Sequence, residues 1–221
     1  MSATQARELA GMFYAVSAGI EEEKDYLSEL DGAVGDGDHG ITMSIGFRAV
    51  NTALSRLELE TCSPADVLTT AATAFLNAVG ASTGPLYATA FLRAAHAVRE
   101  RDCIDCRFVS DMLAGMVAGI CERGKARRGD KTMLDVWSPA AEAAHNACER
   151  GLPMEEMFAE ICRAAEKGVL STRSMMASKG RALRLRERSI GHIDPGAASA
   201  AIFIRALGRS LTDVHASAAF G

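Results

Sequence analysis

The chain has 221 residues, 48% apolar, 24% charged and 5% aromatic, with a formal net charge of −4. That balance excludes intrinsic disorder, a collagen-like fibre and a polytopic membrane protein, and it disfavours a general nucleic-acid binder. No apolar run approaches the ~18 residues of a membrane-spanning helix, the polar start Met1–Arg7 lacks an export signal core, and six scattered cysteines read as reduced thiols, so a cytoplasmic protein is expected.

The aliphatic content is mostly Ala, Leu, Ile and Met, which favours helix over strand. Leu9, Met12, Phe13, Val16 and Ile20 recur at three- and four-residue spacing and predict a first helix over Met1–Leu30. A second is predicted from Ile41 to Leu59. The third carries its own start signals, with Ser63 as N-cap, Pro64 at the first position and Asp66 three residues after the cap; Gly80 stops it. A fourth runs from Pro85 to about Val98, a fifth over Asp105–Arg123 and a sixth over Thr132–Arg150. Pro153 begins a seventh, to about Lys179 with kinks at Gly168 and Ser171, and Pro195 begins an eighth, to about His215. No segment alternates apolar and polar residues long enough for a strand. The expected fold is all-α, eight helices without a sheet.

Glycine placement adds topology. Residues 32, 35, 37 and 40, then 80 and 84, then 124 and 129, then 180, 191 and 196 are glycines in the connections after helices one, three, five and seven. The other connections, near residues 60, 102 and 151, are short and almost free of glycine. In an up-and-down antiparallel bundle all odd-numbered connections lie at one end, ~25–30 Å from the other for helices of ~16–20 residues. Four glycine-rich loops therefore converge on one face. No linker divides the chain, so residues 1–221 read as one domain.

The first loop, LDGAVGDGDHGI, crowds Asp31, Asp36 and Asp38 into eight residues separated by glycines. Three close carboxylates repel unless a cation neutralises them, and Mg²⁺ prefers such oxygens together with substrate phosphates. The second, VGASTGP, places Ser82 and Thr83 ahead of a helix N-terminus, a natural anion site. The third contributes Lys125, Arg127, Arg128 and Lys131, and the fourth Lys179, Arg181, Arg184, Arg186 and Arg188. Acidic residues for metal beside basic residues for phosphate make the composition of a metal–nucleotide site, whereas a nucleic-acid patch leaves the aspartates unexplained.

Other motif matches fail on context. Gly35–Gly40 fits G-x-G-x-x-G but follows a charged helical segment, not a strand. Gly119–Lys125 fits most of a Walker A pattern, but Ala126 has no hydroxyl for magnesium. Twelve-residue loops counted from Asp31 or Asp36 end on Thr42 or Phe47, so neither closes as an EF-hand. Cys103-Ile104-Asp105-Cys106 is a lone C-x-x-C at the opposite end and reads as structural. Among the histidines, only His39 and His192 lie in glycine-rich loops, and Trp137 reads as a packing residue.

Together LDGAVGDGDHG, VGASTGPLYATAFLRAA, RGKARRGDKTMLDVW and GRALRLRERSIGHIDPGA resemble one family over nearly the whole chain, the L subunit (nucleotide-binding domain) of dihydroxyacetone kinases. The resemblance implies an antiparallel eight-helix barrel with the nucleotide, ADP or ATP, at one rim. It implies that Asp31, Asp36 and Asp38 hold two magnesium ions, and that His39, Gly40, Ile41 and Thr42 line the nucleotide. Ser82 and Thr83 would donate to phosphate oxygens, Gly124 and Met133 would contact the base and ribose, and Arg181 with Asp194-Pro195-Gly196 would close the pocket. The sequence departs slightly at GAST, where relatives often carry a double glycine before a serine.

The activity so implied is phosphoryl transfer to a ketose, dihydroxyacetone or a tetrulose, held covalently by a separate K subunit. The donor is either a phosphotransferase-system phosphoprotein acting on bound ADP or free ATP. Two rivals from other classes are a non-catalytic nucleotide-sensing or protein-binding module and a barrel that encloses a lipid. The acidic triad argues against the first, and the polar residues gathered at one rim argue against the second.

Overall fold

A computed structural model describes residues 2–80, 82–101 and 103–218, with side chains described for 4–210 of these. Ala81 of the second loop, Asp102 and the first residue of the predicted first helix, Met1, lie outside the described residues. Among the described residues there are nine α-helices and no strand: α1 Ser2–Glu22, α2 Lys24–Val34, α3 His39–Leu54, α4 Pro64–Ala78, α5 Thr83–Ala97, α6 Cys106–Gly124, α7 Leu134–Glu149, α8 Met154–Thr172 and α9 Pro195–Ala218. A 3-10 segment, Arg181–Ser189, lies between α8 and α9.

The expected first helix is two, bent at Glu23 (φ −99°, ψ 11°). Three successive glutamates, residues 21–23, fall where the negative end of the α1 dipole disfavours them, which ends the helix there. The bend is shallow, because Glu23 N still donates to Gly19 O and Leu27 N to Glu23 O. The start of α4 follows the sequence expectation: Ser63 Oγ accepts from Asp66 N, while the Asp66 carboxylate accepts from Ser63 N at 2.9 Å. The expected seventh helix stops at Thr172, short of Lys179. There Ser171 and Thr172 turn their hydroxyls back onto the carbonyls of Gly168 and Val169 (both 2.7 Å), and buried Lys131 takes the Thr172 carbonyl.

Eight of the helices close a ring. α1 packs on α3, each helix from α3 to α8 packs on the next, and α9 returns to α1. Close approaches show that neighbours run antiparallel. Gly115 of α6 backs onto Ala94 of α5 and Gly119 onto Ala90; Gly168 of α8 backs onto Asp135 of α7; Gly208 of α9 faces Phe158 of α8. Consequently the α2–α3, α4–α5, α6–α7 and α8–α9 connections share one end.

The ring's interior is solid. Phe13, Phe47, Phe75, Tyr87, Phe91, Trp137 and Phe203 interlock with ring centroids 5.2 to 6.4 Å apart. Only about 10 Å³ remains open among Leu9, Met12, Phe91, Met116 and Phe203. A lumen this full has no room for a lipid chain. No helix among the described residues is long and apolar enough to cross a membrane.

Candidate functional site

The four connections at the shared end surround a cavity of about 680 Å³. Its wall includes Asp31, Asp38, His39 and Thr42 from the first loop and α3; Ser82 and Thr83 from the second; Gly124, Lys131 and Met133 from the third; and Arg181, Asp194, Pro195 and Gly196 from the fourth. The four loops converge on this cavity, but Asp36 is not part of its wall.

Asp31 organises the acidic corner. It is 6% exposed. Its Oδ2 accepts from the backbone N–H groups of Asp38 (3.0 Å) and His39 (3.3 Å), so a residue on α2 caps α3 while the nominal cap, Asp38, leaves its own carboxylate out of that role. The loop between must be tight, and a Cβ at Gly35 would sit 2.4 Å from Asp31 Oδ1. One carboxylate oxygen from each of Asp31, Asp36 and Asp38 lies within 4.8 Å of the others. Oxygens bound at ~2.0–2.6 Å around one hard cation span similar separations. A cation already stands there: the Arg181 guanidinium pairs with Asp36 and, at 3.5 Å, with Asp38. The donor set is all oxygen, part-exposed and in need of positive charge, and so fits a divalent metal.

Gly40 and Ile41 differ from their expected roles, and neither forms part of the cavity wall. A Cβ on Gly40 would meet Lys24 O at 1.9 Å, so this glycine is there for the α2–α3 contact. Ile41 is 53% exposed and points away. What both can offer a ligand is the backbone N–H of the first turn of α3. His39 does face the cavity; its Nε2 lies 2.9 Å from Ser199 Oγ, and burial pushes the imidazole below its usual range, against the pull of Asp31, so it is held neutral.

The α5 start leaves its first backbone amides without a side-chain cap, since Ser82 makes no such bond to its own helix. Gly84 permits the turn, since a Cβ there would lie 2.0 Å from Val79 O.

The cations divide. Of the nine expected, Lys131, Lys179 and Arg181 reach the cavity wall. Arg127 and Arg128 pair outside it with Asp130 (3.9 Å) and Glu142 (3.2 Å), and Arg184, Arg186 and Arg188 lie on the 3-10 segment away from the wall. Lys131 is not a mobile phosphate arm. It is 1% exposed in a left-handed conformation (φ 60°), and its ammonium donates at 2.5 Å to the carbonyls of Thr172 and His192. It thereby ties the third loop to both ends of the fourth. Burial lowers its proton affinity, opposed by Asp194 and Asp135. Asp194 Oδ2 caps α9 by accepting from Ala197 N at 2.8 Å, and burial pushes its carboxyl up to about 7.

Sequence reasoning missed Arg123, Ile45, Leu86, Tyr87 and Ser199 on this wall. All five lie inside helices, where composition gives no cue. Ser199 lies one turn into α9, whose start at Pro195 was legible in the sequence, so helix register alone could have pointed to it.

Comparison with known proteins agrees with this geometry. The DAK2 domain family matches residues 33–209. The ADP-binding subunit DhaL of PEP-dependent dihydroxyacetone kinase 2 from Listeria innocua is 43% identical over 182 residues, covering 81% of this chain and 83% of that protein. The corresponding subunit from Escherichia coli is 38% identical over 185 residues, 84% and 87% of the two chains. The crystal structure of the dihydroxyacetone kinase from C. freundii in complex with AMP-PNP and Mg²⁺ superposes with a TM-score of 0.69 at 26% identity, covering 91% of this chain but 33% of that longer one. With the domain match spanning most of its length and these identities extending nearly end to end, the chain belongs to the family of DhaL subunits of dihydroxyacetone kinases.

Proposed function

We propose that residues 1–221 act as one nucleotide-binding unit of a ketose kinase, transferring a phosphoryl group to dihydroxyacetone or a related ketose held on a separate K subunit. The observation that carries this reading is the convergence of Asp31, Asp38 and two helix N-termini, α3 and α5, on one cavity of nucleotide size, with an Asp36 carboxylate oxygen within 4.8 Å of those of Asp31 and Asp38. A pure protein-binding module has no use for three carboxylates held within 4.8 Å of one another.

Asp31, Asp36 and Asp38 hold the metal, and we assign two magnesium ions to them. Magnesium bound there offsets the charge of the phosphoryl oxygens during transfer. The chain's own groups do the rest. Ser82 and Thr83 hydroxyls and the first-turn amides of α3, from His39 to Thr42, donate hydrogen bonds to phosphate oxygens. Gly124 and Met133, with Leu86 beside them, flank the base and ribose. His39 stays neutral against Ser199 and adds a dipole rather than a second cation. Arg181, which pairs with Asp36 and Asp38, stands where its guanidinium would reach phosphate if those carboxylates held metal, and the Asp194-Pro195-Gly196 turn closes that side.

We assign the donor role to a phosphotransferase-system phosphoprotein that rephosphorylates bound ADP, because relatives of matching length carry the description PEP-dependent and ADP-binding. With the K subunit, donor and dihydroxyacetone supplied, Asp36→Asn should abolish transfer while the helical circular-dichroism spectrum is unchanged. Transfer retained at the native rate would refute the metal assignment.

A further inference from the structure

The end of the barrel remote from the cavity holds a second chemical feature. Cys106 opens α6 and Cys148 lies in the last turn of α7, which brings residues 42 apart in sequence to one point. Their sulfur atoms are 2.6 Å apart, with Cys148 donating its S–H to Cys106 Sγ. That is closer than unbonded sulfur atoms rest and about half an ångström beyond a disulfide bond of ~2.05 Å. Two antiparallel, tightly packed helices fix both positions, so the approach is not one loop's choice of rotamer. Both thiols are partly exposed and open to a small reagent.

The structure assigns Cys106 and Cys148 as a reversible dithiol–disulfide site that reacts with low-molecular-weight disulfides. The Cys106 thiolate attacks one sulfur of a disulfide RSSR, forming Cys106–S–SR and releasing RS⁻. Cys148 then gives up its proton and attacks the Cys106 sulfur, forming the Cys106–Cys148 bond and expelling the second RS⁻. The protein loses two protons and two electrons, and RSSR becomes two RSH. The S–H that Cys148 donates to Cys106 Sγ sets the first attack at Cys106, and burial pushes the Cys148 thiol upward in the same sense. Cys103, three residues before Cys106 in the C-x-x-C that reads as structural, lies exposed on a bend.

The test uses the full chain, reduced, desalted and incubated with oxidised glutathione, followed by alkylation and peptide mapping. Two of the six cysteines should resist alkylation, with the Cys106 peptide joined to the Cys148 peptide and released by dithiothreitol. Closing a loop of this length should raise the melting temperature by roughly 10 °C. Cys148→Ser should trap glutathione on Cys106, and Cys103→Ser should leave the bridge intact. A Cys106–Cys103 bond, a bond to a second chain, or full alkylation of both thiols would overturn the assignment. The mapping on the wild-type chain distinguishes these outcomes even if a variant fails to fold.

Discussion

Asp31 separates the structural from the chemical role of the acidic loop, because its two functions need different properties of the side chain. As the cap of α3 it needs an acceptor oxygen, which takes the N–H groups of Asp38 and His39. As a metal ligand it needs charge. Asp31→Ala removes both. Two hydrogen bonds to a buried carboxylate contribute about 1.5–3 kcal/mol each, and solvent entering the gap returns part of that, so the loss should be about 2–4 kcal/mol. At 2–4 °C per kcal/mol for a chain of this size, the melting temperature should fall roughly 5–15 °C. Asp31→Asn keeps the acceptor and should cost less than about 1 kcal/mol. Magnesium–ADP distinguishes the variants further. At a ligand concentration of ~100 Kd the wild-type chain, first stripped of bound nucleotide, gains about 2.7 kcal/mol, an upshift of roughly 5–10 °C, in a thermal-shift assay. Neither variant should show it. If Asp31→Asn melts as low as Asp31→Ala, the cap argument fails; if it keeps the magnesium–ADP upshift, the metal argument fails.

Further outcomes follow from the same geometry. The Asp194 carboxyl, held up at about 7 in the folded chain against ~3.9 when unfolded, binds more protons folded than unfolded between those values, so ligand-free stability should fall as pH rises through that window. Asp194→Asn keeps the α9 cap and should remove that fall in urea titrations at pH 5 and 8; an unchanged slope would assign it elsewhere. Lys131→Met leaves two carbonyls and the Asp194 charge without their cation and should cost about 3–5 kcal/mol by chemical denaturation. Gly40→Ala should lower stability by about 1–3 kcal/mol, since its Cβ meets backbone that cannot turn aside, whereas Gly32→Ala, with nothing within 4 Å inside α2, should be neutral or stabilising.

Helix existence was legible wherever periodicity and caps agreed: Ser63, Pro64 and Asp66 marked the start of α4, and the glycine-rich connections marked the end that carries the site. Boundaries failed where the cause was tertiary. The stop at Thr172 depends on Lys131, 41 residues away, whereas the bend at Glu23 rests on a local run of three glutamates that the continuous apolar stripe masks. In the site, the three aspartates and the α5 start could be read directly because their chemistry is local. The fate of the cations could not. Lys131 looks like Arg127 and Arg128 in sequence, yet one is buried as a tie between loops and the others pair outside the cavity. Gly40 shows the same ambiguity: a glycine beside an anion site reads as a ligand contact, and here it clears the Lys24 backbone.

Whether the four-loop end of the barrel holds a nucleotide with magnesium is tested by denaturing the freshly purified chain and quantifying released nucleotide by ion-exchange chromatography. Near-stoichiometric ADP is expected, retained because it serves as a carrier and not as an exchanging co-substrate. Protein that carries no nucleotide and also fails to bind magnesium–ADP or magnesium–ATP would contradict it.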